Sequence, residues 1–238
     1  MTRIRTTIST TAGLALLGAG LTAPTSVATT AAAPDACADA GSSCHIVSRA
    51  DVDGDDRRDS VGLTAWGKND HGYKATVRVR TADGESLSTV RTIDLPQLSA
   101  WWGAAAIDGE PGHELVLQSD EGAHTGWYHV ITHRDGKLTT LKDPLSTRDA
   151  SYRYRWAVDS ALMSGMGYRR TVMSSGEPLV YAYRATLNRY SGRYVQTTKA
   201  VTWSNGGWRQ ISKKSASITP ATKNANAEWN VPYLPQRH

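Results

Sequence analysis

Two unrelated landmarks in this chain recur at nearly the same interval. Asp53 and Asp108 sit in similar acidic stretches 55 residues apart, and the dipeptides Asp83-Gly84 and Asp135-Gly136 stand 52 apart. Periods that agree from independent starting points mark a chain assembled from repeated supersecondary units. The units are β in character. Tyr73, Ala75, Val77, Val79 and Thr81 alternate with Lys74, Thr76, Arg78 and Arg80, the two-residue period of a half-buried strand. Asp83-Gly84 then signals a hairpin, and the next strand runs through Leu87, Val90 and Ile93. Phe is absent, while eight Trp and ten Tyr stand among Thr, Val and Gly, a composition that leans to strands.

A third, fainter copy begins at Trp156-Ala157-Val158-Asp159, and its hairpin signal, Asn205-Gly206, comes 70 residues after Asp135-Gly136. The excess reads as an insertion: residues 179–190, turning at Ser191-Gly192 into 193–203, form a long extra hairpin. The expected fold is all-β, with blade-like antiparallel repeats at 51–105, 106–155 and 156–212. Three blades are fewer than the roughly four or more that close a propeller. The stack is therefore incomplete or closed by a second chain, with a β-sandwich as the alternative. Residues 213–238 are poor in apolar side chains and read as a flexible tail, although Trp229, Val231, Tyr233 and Leu234 offer a closing strand.

The first acidic stretch carries the chemistry. Asp51, Asp53, Asp55 and Asp59 stand at positions 1, 3, 5 and 9 of one short loop. Carboxylates packed this closely repel one another, and a hard divalent cation taking six to eight oxygens at about 2.3–2.6 Å relieves that repulsion. The loop is not an EF-hand, which requires Gly at its sixth position and Glu at its twelfth; those places hold Asp56 and Gly62. Ser60 to Thr64 follows as a short strand, with apolar residues at alternate positions. Four side chains and the backbone carbonyl of Arg57 form the candidate calcium ligands, with Gly54 relaxing the turn. An acidic surface turn is the simpler alternative. The copy at 107–116 has decayed: Ala106 replaces the first carboxylate, Glu110 and Glu114 replace Asp55 and Asp59, and Pro111 occupies the turn.

Asp-x-Asp-Gly-Asp-x-x-x-Asp running directly into a strand resembles the calcium loop of FG-GAP/VCBS-type repeats. Those repeats build propeller blades in integrin α-subunits and in many secreted bacterial proteins. The likeness covers about a dozen residues, and it implies a calcium-stabilised β-repeat protein.

Residues 1–33 read as a secretory signal peptide, with Arg3 and Arg5 before an apolar run from Ala12 to Leu21 and small residues at 28–33. That run is half the roughly 20 residues of a membrane helix, and no later stretch is long and apolar enough to span. An extracellular location follows as the expectation. In residues 34–50, Cys37 and Cys44 are the two cysteines of the chain; an oxidising compartment makes a disulfide the default, pinning the chain start beside the acidic loop.

Charge is unevenly divided. Residues 33–145 hold 11 Lys plus Arg against 18 Asp plus Glu, whereas residues 146–238 hold 14 against 4. Arginines and aromatics interleave in the basic part, and Arg153, Arg155, Trp156, Arg169 and Arg170 are candidates for gripping an anionic extracellular polymer. A cell-envelope polyanion or another protein fits a secreted chain better than nucleic acid does. Alternatively, the arginines occupy solvent faces of strands whose aromatics fill the core.

Catalytic constellations are not found: the chain has no Gly-x-Ser-x-Gly elbow, His-Glu-x-x-His helix or Walker loop. His113, His124, His129 and His133 lie close in sequence and offer zinc or copper ligands. The favoured reading is a secreted calcium-binding β-repeat protein that binds or scaffolds an unidentified partner. The alternative is a secreted metal-dependent hydrolase acting on an envelope polymer.

Overall fold

Turn chemistry divides the chain into meanders. The structure, a computed structural model, describes residues 34–69, 72–146 and 154–235; the leader and Arg153 lie outside them. β1 (His45–Ala50), β2 (Asp59–Asn69), β3 (Gly72–Arg80) and β4 (Ser86–Ile93) form a four-stranded antiparallel sheet in sequence order. β5 (Trp101–Ala105), β6 (Glu114–Glu121), β7 (Thr125–Arg134) and β8 (Lys137–Thr140) repeat that order, with the second acidic stretch again between the first and second strands. Asp135 and Gly136 both take positive φ, 50° and 70°, as a type I′ hairpin requires. The third meander comprises β9 (Trp156–Asp159), β10 (Ser164–Val172), β11 (Pro178–Asn188), β12 (Arg193–Ser204) and β13 (Gly207–Ile218).

β7 joins the second meander to the third. Its first half, Thr125 to Tyr128, pairs with β9, and its second half, Ile131 to Arg134, pairs with β8. One ten-stranded sheet results, with β13 at one end and β5 at the other, and neither sheet closes into a barrel among the described residues. The fold is all-β, and its antiparallel sheets fit the sandwich alternative as well as stacked blades.

The second meander is apolar on both faces, so it forms a middle layer. Leu115, Leu117, Ile131 and Leu138 share a core with Val61, Leu63, Val77, Val79 and Ile93 of the first sheet. Val116, Tyr128 and Val130 face a second core containing Trp156, Tyr168, Val180, Val201 and Trp229. With no Phe available, aromatic volume comes from Trp and Tyr. Ring centroids of Trp156, Tyr168 and Trp229 lie 4.7, 5.5 and 5.0 Å apart pairwise, within the range of favourable ring contacts.

The ends of the chain depart from expectation. Residues 213–235 are not a tail: Lys213 to Ile218 complete β13, and α1 (Pro220–Asn226) follows, capped by Thr219 Oγ1 accepting from Thr222 N at 3.2 Å. β14 (Trp229–Asn230) then pairs in parallel with β10. Trp229, Val231 and Leu234 are buried, whereas Tyr233 is exposed. The closing strand expected from these residues forms only at Trp229–Asn230, and Trp229, Val231 and Leu234 enter the core of the third meander. The Cys37–Cys44 disulfide forms, with its sulfurs over Gly62 of β2, where an added Cβ would lie 2.8 and 3.1 Å from them. It therefore clamps the outer face of β2 just beyond the acidic loop. Ala36 N donates to Ser60 Oγ at 3.1 Å from the same segment.

Candidate metal centre

The loop between β1 and β2 is shaped by its own carboxylates. Asp51 accepts from Gly54 N at 2.7 Å and from Asp56 N at 3.0 Å, turning the chain back on itself. Asp59, fully buried at the start of β2, accepts from Val52 N at 2.7 Å and from Ala82 N at 2.9 Å. It thereby ties the loop to the strand after it and to the β3–β4 hairpin. Asp51, Asp53 and Asp59 each bring one carboxylate oxygen within 4.8 Å of the other two. Asp55 lies outside this triad; it accepts from Arg57 N and Arg57 Nε, both at 2.8 Å, and Arg57 also pairs with Asp83.

Electrostatics make the triad a strained assembly of like charges. Burial, then repulsion from Asp59 and Asp55, raises the Asp53 carboxyl above its ordinary value. Burial raises Asp59 as well, against the pull of its two backbone donors. Asp55 moves the other way, held down by its hydrogen bonds from Arg57. A divalent cation among the three would reverse the repulsion, and an all-oxygen donor set suits a hard ion.

Equivalent loops in the other two meanders contain positive charge of their own. Asp108 occupies the place of Asp53, and Glu114 that of Asp59. Glu114 Oε2 accepts from Ile107 N at 2.6 Å, as Asp59 accepts from Val52 N. Arg134, at the end of β7, places its guanidinium against Asp108 and 3.9 Å from Glu114. In the third loop Asp159 accepts from Thr125 Oγ1 at 2.8 Å and from Ala161 N at 3.1 Å. There Lys223 of α1 donates to the carbonyls of Ser160, Ala161 and Ser164 at 3.0, 2.8 and 3.3 Å. Both cations escaped the sequence reading, since Lys223 is about 60 residues from the loop it fills. The one local signal was Arg134, which immediately precedes the Asp135-Gly136 hairpin.

The first two loops also pack on each other. His113 N donates to the Asp51 carbonyl at 2.7 Å, and His113 Nδ1 lies 2.9 Å from the same oxygen. Gly54, at φ 86°, abuts Pro111 so closely that a Cβ would collide with it.

The candidate polymer-binding residues are dispersed. Trp156 is wholly buried and donates its Nε1–H to Leu141 O at 3.1 Å, so it belongs to the core and presents no surface. Arg155 lies over the Trp127 ring at 5.6 Å and 3.6 Å from Asp120, lining a cleft with Thr92, Asp94 and His129. Arg169 is exposed and Arg170 half-buried, and as neighbours on β10 they point to opposite faces. The histidines have separate partners: His113 meets Asp51, while His129 is pushed down to about 4 by burial and lies 3.3 Å from the Thr92 carbonyl.

No family model, curated protein or solved structure matches this chain. Its functional reading rests on the geometry of the three loops.

Proposed function

We propose that the chain is a secreted, calcium-binding β-repeat module of the FG-GAP/VCBS type that serves binding or scaffolding. The observation that supports this is the contrast among equivalent loops. Arg134 and Lys223 supply cations to the second and third loops, whereas Asp51, Asp53 and Asp59 converge with Arg57 turned away to Asp55 and Asp83. Calcium would be held by this triad, with Asp55 and the Arg57 carbonyl as the further oxygens that the spacing of the loop offers. Bound there, it supplies positive charge that fastens β1, β2 and the β3–β4 hairpin together. Asp59 is already committed to Val52 N and Ala82 N, which favours a structural ion over a catalytic one. The disulfide and the leader-like first 33 residues support secretion, and among the described residues no helix is long and apolar enough to cross a membrane.

Calcium titration by calorimetry, joined to thermal unfolding with and without chelator, tests the reading. One ion per chain and a calcium-dependent rise in Tm are expected. Asp53→Asn should abolish both. Melting that ignores calcium removes the proposal, and an Asp53→Asn variant that keeps its Tm but loses a hydrolytic activity points to the hydrolase alternative.

A further inference from the structure

The longest sheet edge among the described residues belongs to β13. It ends the ten-stranded sheet and pairs with β12 from Tyr194–Ile218 to Ser204–Gly207. The other terminal strands are shorter: six residues in β1, eight in β4 and five in β5, against twelve in β13. Every residue from Lys213 to Ser217 is exposed, so this half of the strand buries neither face. Among the described residues, the one bond to its backbone from outside the β12 ladder is the 3.5 Å contact from Arg193 Nη2 to Ser217 O. Such an edge presents outward-pointing amides and carbonyls that another strand can pair with.

Charge selects the partner. From Pro178 to Ile218 the chain holds seven Lys plus Arg and no Asp or Glu. Register sets Lys213 beside Lys199, with Arg184 and Arg193 on the same face by the two-residue alternation of β11 and β12. Two β13 edges laid together would bring lysine-rich strands into apposition, and like charges across a strand pair are destabilising. That sign disfavours a second copy and suits an acidic strand.

We propose that the β13 edge is a strand-addition site for an extended acidic polypeptide segment, with Asp or Glu at alternate positions along the face that Lys213 shares with Arg193. This site is independent of the cation loop. Backbone pairing supplies the affinity, and the cationic face supplies the selectivity.

The test is a fluorescence anisotropy titration of the chain at low salt with a labelled peptide of alternating Glu and Val, about twelve residues long to match the edge. Binding should saturate, weaken with salt, and fall about tenfold or more in a Lys213→Glu, Lys214→Glu variant whose melting is unchanged. The same peptide N-methylated at every amide keeps its charge but cannot donate to the edge, and it should not bind. Equal binding of the N-methylated peptide or of polyphosphate would overturn strand addition in favour of a general polyanion surface. Absence of binding by the unmodified peptide would overturn the proposal outright.

Discussion

The loops at residues 51–59 and 106–114 share one plan and differ in where positive charge comes from. In both, a carboxylate at the start of a strand is buried and accepts from the backbone N–H seven residues earlier, at 2.7 Å for Asp59 and 2.6 Å for Glu114. Behind the second loop stands Arg134; the first hairpin places Ala82 near Asp59, contributing only a backbone N–H. A buried acidic cluster needs a compensating charge. In the second loop that charge comes from the side chain of Arg134, whereas in the first Asp51, Asp53 and Asp59 converge as a group that could hold a metal ion.

Removing Arg134 breaks the comparison most forcefully. Arg134→Met leaves Asp108 buried without a counter-charge beside Glu114, whose carboxyl burial pushes up to about 8, and loss of one partner from such a pair destabilises by about 3–5 kcal/mol. Urea unfolding should show that loss equally with calcium and with chelator, because the damaged loop is not the proposed calcium site. A variant rescued by calcium would mean that the second loop also takes the ion.

For the first loop the corresponding test of the proposed calcium site is withdrawal of calcium. At free calcium about a hundredfold above Kd, binding to the folded state contributes about 2.7 kcal/mol, and chelation should remove it. Asp53→Asn should bring the calcium and chelator curves together.

A buried carboxylate with a neutral partner sharpens the contrast. Asp143 accepts from Tyr168 Oη at 2.9 Å and Leu145 N at 2.7 Å, both at the same oxygen, and burial pushes it up to about 6. Since its folded value lies above the ordinary 3.8, the folded chain binds the proton more tightly than the unfolded chain. Its contribution to stability is therefore full below about pH 4 and is lost as pH rises to about 6. Asp143→Asn keeps the accepting oxygen and cannot ionise. Relative to wild type it should gain about 2 kcal/mol between pH 4 and pH 7 in urea unfolding. A constant difference across that range would show that Asp143 titrates normally.

The smallest effect concerns how the two loops meet. Gly54→Ala forces a side chain into a left-handed conformation against Pro111, and a loss of about 1–2 kcal/mol is expected with or without calcium. A substitution without effect would mean that the loops move apart freely.

Much of this was legible beforehand for local reasons. Asp83-Gly84, Asp135-Gly136 and Asn205-Gly206 each mark a hairpin because few residues tolerate the left-handed backbone such turns use. β3 alternates because Ala75, Val77 and Val79 meet a core on one of its faces. The strand character of β13 beyond residue 212 is invisible in the sequence because Lys213 to Ser217 are exposed and carry no apolar rhythm. Arginines alternating with aromatics along a strand look the same whether the rings point outward or inward, so Trp156 reads as readily on a surface as in a core. Only the neighbouring layer shows that its ring is buried.

The sequence alone determined the all-β class, the hairpin turns, the disulfide partners and the cluster of carboxylates, all of which follow from backbone preferences and spacing within a few residues. Tertiary structure decided which carboxylates converge, which loops carry an internal cation and which edge is unpaired among the described residues. Those outcomes depend on groups brought together across the fold, such as Lys223 against Ser160, and Coulomb and desolvation energies act over distance in space, whatever the separation along the chain.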